Sequence, residues 1–135
     1  MKHQKFIFKL VLLFLLICNV KSVLSQEEGL LNKTKSQIKL TETKQLYLQG
    51  NIKTALLNYK EVIALNPSSA KAHFGISRCY YKLHDYKKAK YHAEIAEKND
   101  PKVDEDLHYL MAEIYFRLEE LKKSKTSYEK FVSEI

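Results

Sequence analysis

Helix breakers and cross-links are scarce in this sequence: three glycines, two prolines and two cysteines in 135 residues. Proline and glycine are the residues that end or weaken a helix, so such low counts suit helical bundles joined by short turns. Cys18 lies in an apolar N-terminal run, and once that run is set aside Cys79 stands alone, so no internal disulfide is available. Also missing are a glycine-rich phosphate loop, HExxH, CxxC and GxSxG. The sequence offers no recognisable catalytic machinery, and neither enzymatic activity nor a cofactor is expected. What remains is an ordinary globular balance, 45% hydrophobic and 29% charged, enough for one domain.

Residues 70–102 show how that balance is arranged. Ile76, Ser77, Tyr80 and Leu83 recur at helical spacing, and His84 and Asp85 interrupt the run. Tyr86, Ala89, Ala93 and Ala96 then resume the period until Pro101, whose ring and missing N–H stop the helix. The three alanines leave one side of the second helix nearly bare, so the first helix can come close and Tyr80 can lie in the gap. The same unit occurs on either side. Thr43, Leu46, Ile52, Ala55, Tyr59, Val62 and Pro67 stand 34 residues ahead of Ser77, Tyr80, Tyr86, Ala89, Ala93, Ala96 and Pro101. Ala112, Tyr115, Leu121, Ser124, Tyr128 and Phe131 follow at a shift of 35, the extra residue falling in 102–105.

A period in the mid-thirties with small residues answering small ones resembles the tetratricopeptide repeat family. The resemblance covers residues 36–135 and implies an all-α chain of about three helix–turn–helix units stacked as a short right-handed solenoid. The units are 36–69, 70–104 and 105–135, the last incomplete at its C-terminal side. One hairpin cannot bury its apolar face alone, whereas three side by side share a continuous core. The first unit opens with a weak helix, since Glu42 and Lys39 stand where Ile76 and His73 stand in the second. The turn before its second helix is Gly50-Asn51. Ser68 and Ser69 offer a cap to the next helix, and Asp104 or Asp106 can serve the third unit in the same way. No polar capping helix follows residue 135, which reads as a truncated chain, a fragment, or an end covered by a partner.

The N-terminus reads as a secretory signal peptide over residues 1–25. Lys2, Lys5 and Lys9 precede the run LVLLFLLICNV, and Val23 and Ser25 occupy the positions a signal peptidase reads, which puts cleavage between Ser25 and Gln26. The apolar run falls short of the roughly 20 residues that cross a bilayer, so no stable membrane span is expected after cleavage. Residues 26–35 are polar and read as a linker. The first 25 residues hold four lysines and no acid, so removing them lowers the net charge from +7 to +3, too little to argue for nucleic acid. Export without disulfides fits a bacterial periplasm or cell surface.

The histidines and lysines follow the repeat. His73 and His108 are 35 apart and occupy one slot of successive units, while His84 and His92 have no partner at ligand spacing, so no metal site is expected. Cys79, beside Tyr80, reads as a buried inert thiol. Lys87, Lys88 and Lys90 recur as Lys122, Lys123 and Lys125, either a solvated outer face or a basic ridge for an acidic partner.

At 100° per residue, Ile76, Tyr80 and Leu83 point one way along the middle unit's first helix, and Lys71, Phe74, Arg78, Tyr81 and Lys82 point the other. Lys44 and Tyr47 are their counterparts in the first unit, and Tyr109, Glu113 and Phe116 in the third. In tetratricopeptide proteins this face lines a concave groove that receives peptides, so the resemblance implies that these ten residues form a partner-binding groove of aromatics and mixed charges. Tyr47, Tyr81 and Phe116 could equally pack between neighbouring units. The family's carboxylate clamp is not expected, because Leu40, Gly75, Asp106 and Leu110 occupy slots it needs. The function expected is that of an exported scaffold binding a protein or peptide. The alternative is the recognition arm of a larger envelope enzyme or wall-binding protein. The partner's identity and the oligomeric state are not legible.

Overall fold

The computed structural model describes residues 1–135, apart from the side chain of Lys2. Six helices follow in chain order: α1 (Lys2–Leu48), α2 (Ile52–Leu65), α3 (Ala70–Lys82), α4 (Tyr86–Asn99), α5 (Leu107–Arg117) and α6 (Leu121–Glu134). Among the described residues there is no strand. The chain divides into two compact units, Met1–Thr34 and Lys35–Ile135.

The first unit is helix, exposed nearly throughout. Residues 26–35, read above as a polar linker, are helical as well. They contain no proline, and the single Gly29 has open space around it and costs only part of the local helix propensity. Helix α1 is long and apolar enough to cross a membrane by length and composition, a property that signal sequences share. The opening helix of the first repeat, expected to be weak, runs unbroken to Leu48. Its Leu40 and Thr43 are buried, and Lys39 pairs with Glu61 of α2.

In the second unit the hairpins stack into a short solenoid. Leu40, Ala55, Tyr59, Val62, Ala72, Ile76 and Cys79 form one cluster across the first and second repeats. Phe74, Ala89, Ala93 and Ala96 join Leu107, Leu110, Met111, Ile114 and Tyr115 in another across the second and third. Tyr80 packs against both, lying between them as the bare side of α4 allows. The small residues do what their slots require: Ala55, Ala89 and Ala96 have no exposed surface, and Ala93 almost none.

Each hairpin turns in the same way. The residues at Gly50, His84 and Glu119 adopt positive φ of 83°, 61° and 61°. The N–H of each bonds back to Tyr47, Tyr81 or Phe116, and the next N–H reaches Leu46, Tyr80 or Tyr115. This paired closure satisfies carbonyls that the end of a helix leaves orphaned. Only the first copy fills the left-handed position with glycine, the residue that adopts it without steric cost.

Within the hairpins a buried hydroxyl ties the helices together. Ser77 Oγ donates to the Ala89 carbonyl at 2.8 Å, from the first helix of its repeat to the second. In the third repeat Ser124 Oγ donates to the Ala112 carbonyl at 3.0 Å, from the second helix to the first. In the first repeat Thr43 turns instead to the Lys39 carbonyl of its own helix, at 2.6 Å. The expected serine cap is present, Ser69 accepting from the Ala72 N–H at 3.3 Å. Asp106 makes no side-chain cap to α5; Asp104 accepts from the Asp106 N–H at 3.1 Å and fixes the loop before the helix.

The alanine slots give a direct test. Ala93→Leu is expected to lower stability by about 1–3 kcal/mol, because extra volume in a close-packed contact forces side chains off their rotamers. Lys87→Leu, at an exposed position of the same helix, should change it by no more than about 0.5 kcal/mol. Denaturant midpoints measure both, and equal midpoints would show that the facing side of α4 is misassigned.

Candidate functional site

Five of the ten groove residues converge. Lys44 and Tyr47 from α1 and Lys71, Phe74 and Arg78 from α3 line one pocket of about 290 Å³. Its floor includes Leu40, Tyr59 and Gly75, and Val103 and Asp104 close it from the loop between α4 and α5. Gly75 sets how closely Tyr59 approaches α3. A Cβ there would lie 2.4 Å from Tyr59 Cζ, so the ring of Tyr59 lies against bare backbone. Burial pushes the Tyr59 hydroxyl up to about 12, and the Cys79 thiol behind it likewise to about 12, which keeps that thiol unreactive.

Arg78 is half-buried and sits over two rings, its guanidinium carbon 4.5 Å from the Tyr47 centroid and 5.5 Å from that of Phe74. Phe74 itself is only 5% exposed. It was expected as an open groove residue, but α5 packs beside α3 and draws Phe74 into the core, leaving it as part of the pocket floor.

The other five residues do not line this pocket. Tyr81 donates a hydrogen bond to Glu113 Oε2 at 3.1 Å, and Tyr128 donates to the other oxygen of the same carboxylate. Tyr81 is half-buried against the second core cluster, and Tyr47 against the first, so both pack between repeats as well as face outward. Tyr109 meets Tyr128 and Phe131 of α6, at 6.0 and 5.5 Å between centroids. Phe116 is 57% exposed and lines a separate apolar hollow with Leu121, Tyr128 and Val132. Lys82 is exposed in the last turn of α3.

The outer lysines are mostly neutralised where they stand. Lys88 pairs with Asp85 at 2.7 Å, Lys90 and Lys123 share Glu120 at 2.6 and 3.0 Å, and Lys125 reaches Glu129 at 3.8 Å. A solvated outer face with local pairs describes these residues better than a basic ridge.

The histidines have partners that spacing did not reveal. His73 Nδ1 lies 2.9 Å from His92 Nδ1, and its Nε2 lies 3.1 Å from the Pro67 carbonyl. A carbonyl can only accept, so His73 carries its proton on Nε2, and His92 then donates from Nδ1. His108 occupies the equivalent slot and meets Glu134 at 2.8 Å and Glu97 at 3.2 Å. Among the described residues no group of three or more metal-ligating side chains forms.

Helical hairpins of constant register, stacked with their first helices along one face, define a helical repeat solenoid. Models of the tetratricopeptide repeat match residues 46–114 and 105–134. The chain belongs to the tetratricopeptide repeat family. Among curated proteins none matches it significantly in sequence. Several solved structures share the fold. YrrB, described as a tetratricopeptide protein with an unusual peptide-binding site, superposes with a TM-score of 0.66 at 24% identity over 70% of this chain and 48% of its own. The second tetratricopeptide domain of Spaghetti, bound to the HSP90 peptide SRMEEVD, gives 0.69 at 16% identity over 74% and 92%. The translocator chaperone SycD of Yersinia enterocolitica gives 0.66 at 16% over 74% and 75%. A structure of the CopN–Scc3 complex is matched over 58% of its chain, so this chain spans about half the length of that relative and of YrrB.

The His73–His92 pair predicts a pH dependence. Burial holds both rings below the usual histidine range, and His92 falls to about 4, with His73 and Lys60 adding to the effect. The unfolded chain therefore binds protons that the folded one refuses. Stability from this pair is complete above about pH 6.5 and drains away as pH falls towards about 4. Thermal melts of the wild type and His92→Gln across that range should show a shallower decline in the variant; parallel declines would exclude the pair as the cause.

Proposed function

We propose that this chain is an exported scaffold that binds a peptide or protein segment in the concave groove of its repeats, at the pocket shared by α1 and α3. The observation that carries this reading is the convergence of Lys44, Tyr47, Lys71, Phe74 and Arg78, from two successive repeats, on one open hollow with an aromatic floor. A few polar groups over an apolar floor are what a recognition site needs, the floor for contact area and the polar groups for orientation. Membership of a family whose structural relatives include peptide and protein binders supports the same assignment. Export is supported by the lysine-flanked apolar run and by the exposure of that run in the first unit.

Two measurements test the proposal. Photoreactive residues placed at Tyr47 and at Lys87 of the chain, expressed in its host, should give adducts from the groove position and few from the outer one. Adducts confined to position 87 would move the working surface to the outer helices. The mature chain should begin at Gln26, and an intact mass that retains residues 1–25 would exclude cleavage there.

A further inference from the structure

We infer that the open face of the third hairpin is a self-complementary interface, on which α6 of a second copy of this chain lies antiparallel to α6 of the first. The carrying observation is that this face departs from the repeat pattern. In the second repeat the side turned to the next hairpin is smooth: Ala89, Ala93 and Ala96 share one core cluster with Leu107, Leu110 and Met111. At the positions equivalent to those alanines the third repeat has Ser124, Tyr128 and Phe131. Two of the three alanine slots hold rings, and these meet Tyr109 of α5 at 6.0 and 5.5 Å between centroids. Another hairpin at the spacing of the first three would need the volume those rings fill, because a close-packed contact admits no extra side chain without displacement. The face is shaped for a neighbour of another kind.

What stays exposed is an apolar stripe. Phe116, Leu121 and Val132 line one hollow with Tyr128 and are 57%, 61% and 64% exposed. Along α6, Leu121, Tyr128 and Val132 follow at seven and then four residues, the seam spacing of a helix that packs lengthwise on another helix. Apolar side chains grouped in this way on a surface mark a site of association. The charges beside the stripe select the occupant. Lys125 and Glu129 line the same hollow, both well exposed, and their contact of 3.8 Å is the longest ion pair among the described residues. With a base at one position and an acid one turn later, the helix is its own electrostatic complement once reversed. A twofold axis level with Ser127 sets each Lys125 opposite Glu129 of the second copy, and each Leu121 opposite Val132 and Ser133 of that copy. A parallel alignment would instead set lysine against lysine and glutamate against glutamate. The stripe supplies the contact area, and the crossed charges fix orientation and register.

The test is sedimentation equilibrium of the full chain at rising protein concentration, in a density-matched detergent that covers the exposed apolar run of α1. The wild type is expected to approach twice the mass of one chain. Val132→Asp, at an exposed position, should weaken the dimer by about tenfold or more while circular dichroism shows the fold intact, because it sets a charge in the apolar seam. Lys125→Glu and Glu129→Lys should each weaken it as well, since every seam charge then meets its like. The two single variants, mixed, should associate with each other, and the variant carrying both changes should dimerise as the wild type does, because either arrangement restores opposite pairs. A chain that stays monomeric overturns the inference and returns the face to a partner of another kind. Association that Val132→Asp leaves unchanged, as self-pairing through α1 would be, also overturns it. Dissociation by Val132→Asp without rescue in the mixture overturns the antiparallel pairing. Species that grow beyond a dimer overturn the twofold arrangement. The groove reading, which rests on the first two repeats, stands or falls by its own adducts.

Discussion

Contact between one helix and another where a side chain is missing underlies everything else in the repeat unit. The Tyr59 ring occupies the space that a Cβ on Gly75 would need, and Ala89, Ala93 and Ala96 present a bare flank to the helices beside them. Close-packed interiors respond to single methylenes, so these positions set the distance between successive hairpins as well as their stability. The groove follows from the same spacing. Because α2 approaches α3 through Tyr59 and Gly75, the adjacent Phe74 and, one turn on, Arg78 line one pocket with Tyr47 of the preceding repeat.

The pocket so formed is polarised. Three cations without anionic partners surround it, while the carboxylate of Glu113 is tied down by Tyr81 and Tyr128. On the outer face four lysines pair locally, with Asp85, Glu120 and Glu129 each within reach of one or two. Exposed pairs of that kind add little to stability, typically well under about 1 kcal/mol each. Their effect here is on the field: they flatten the potential of the outer face around Lys88, Lys90, Lys123 and Lys125.

The repeat period, the alanine slots and the burial of Cys79 were legible in the sequence because each depends on residue size at a fixed spacing. What escaped was everything set by a third element. Phe74 lies on the groove side by helical angle, but α5 covers it, and no count along α3 alone can show that. Val103 and Asp104 reach the pocket from a loop, where periodicity has nothing to say. His92 has no ligand-spaced neighbour along the chain, yet the turn of the hairpin lays it against His73. The helix through residues 26–35 was missed for a different reason: polarity was read as irregular structure, although Gln, Glu, Leu and Lys are all good helix formers.

The hydroxyl that bridges the second and third hairpins has an evolutionary corollary. In the second repeat the serine stands on the first helix and the alanine on the second; in the third repeat they have changed places, and the bridge survives with its direction reversed. Viewed one position at a time, the two repeats disagree, serine against alanine at each of the two sites, and a column of aligned repeats would record little constraint. Viewed as a pair, it holds to a narrow rule: one hydroxyl and one methyl, in either order. Divergent copies of this unit would then be tied together by paired substitutions, each individually unremarked, and kinship between them would be easier to see in the joint occupancy of the two sites than in either alone.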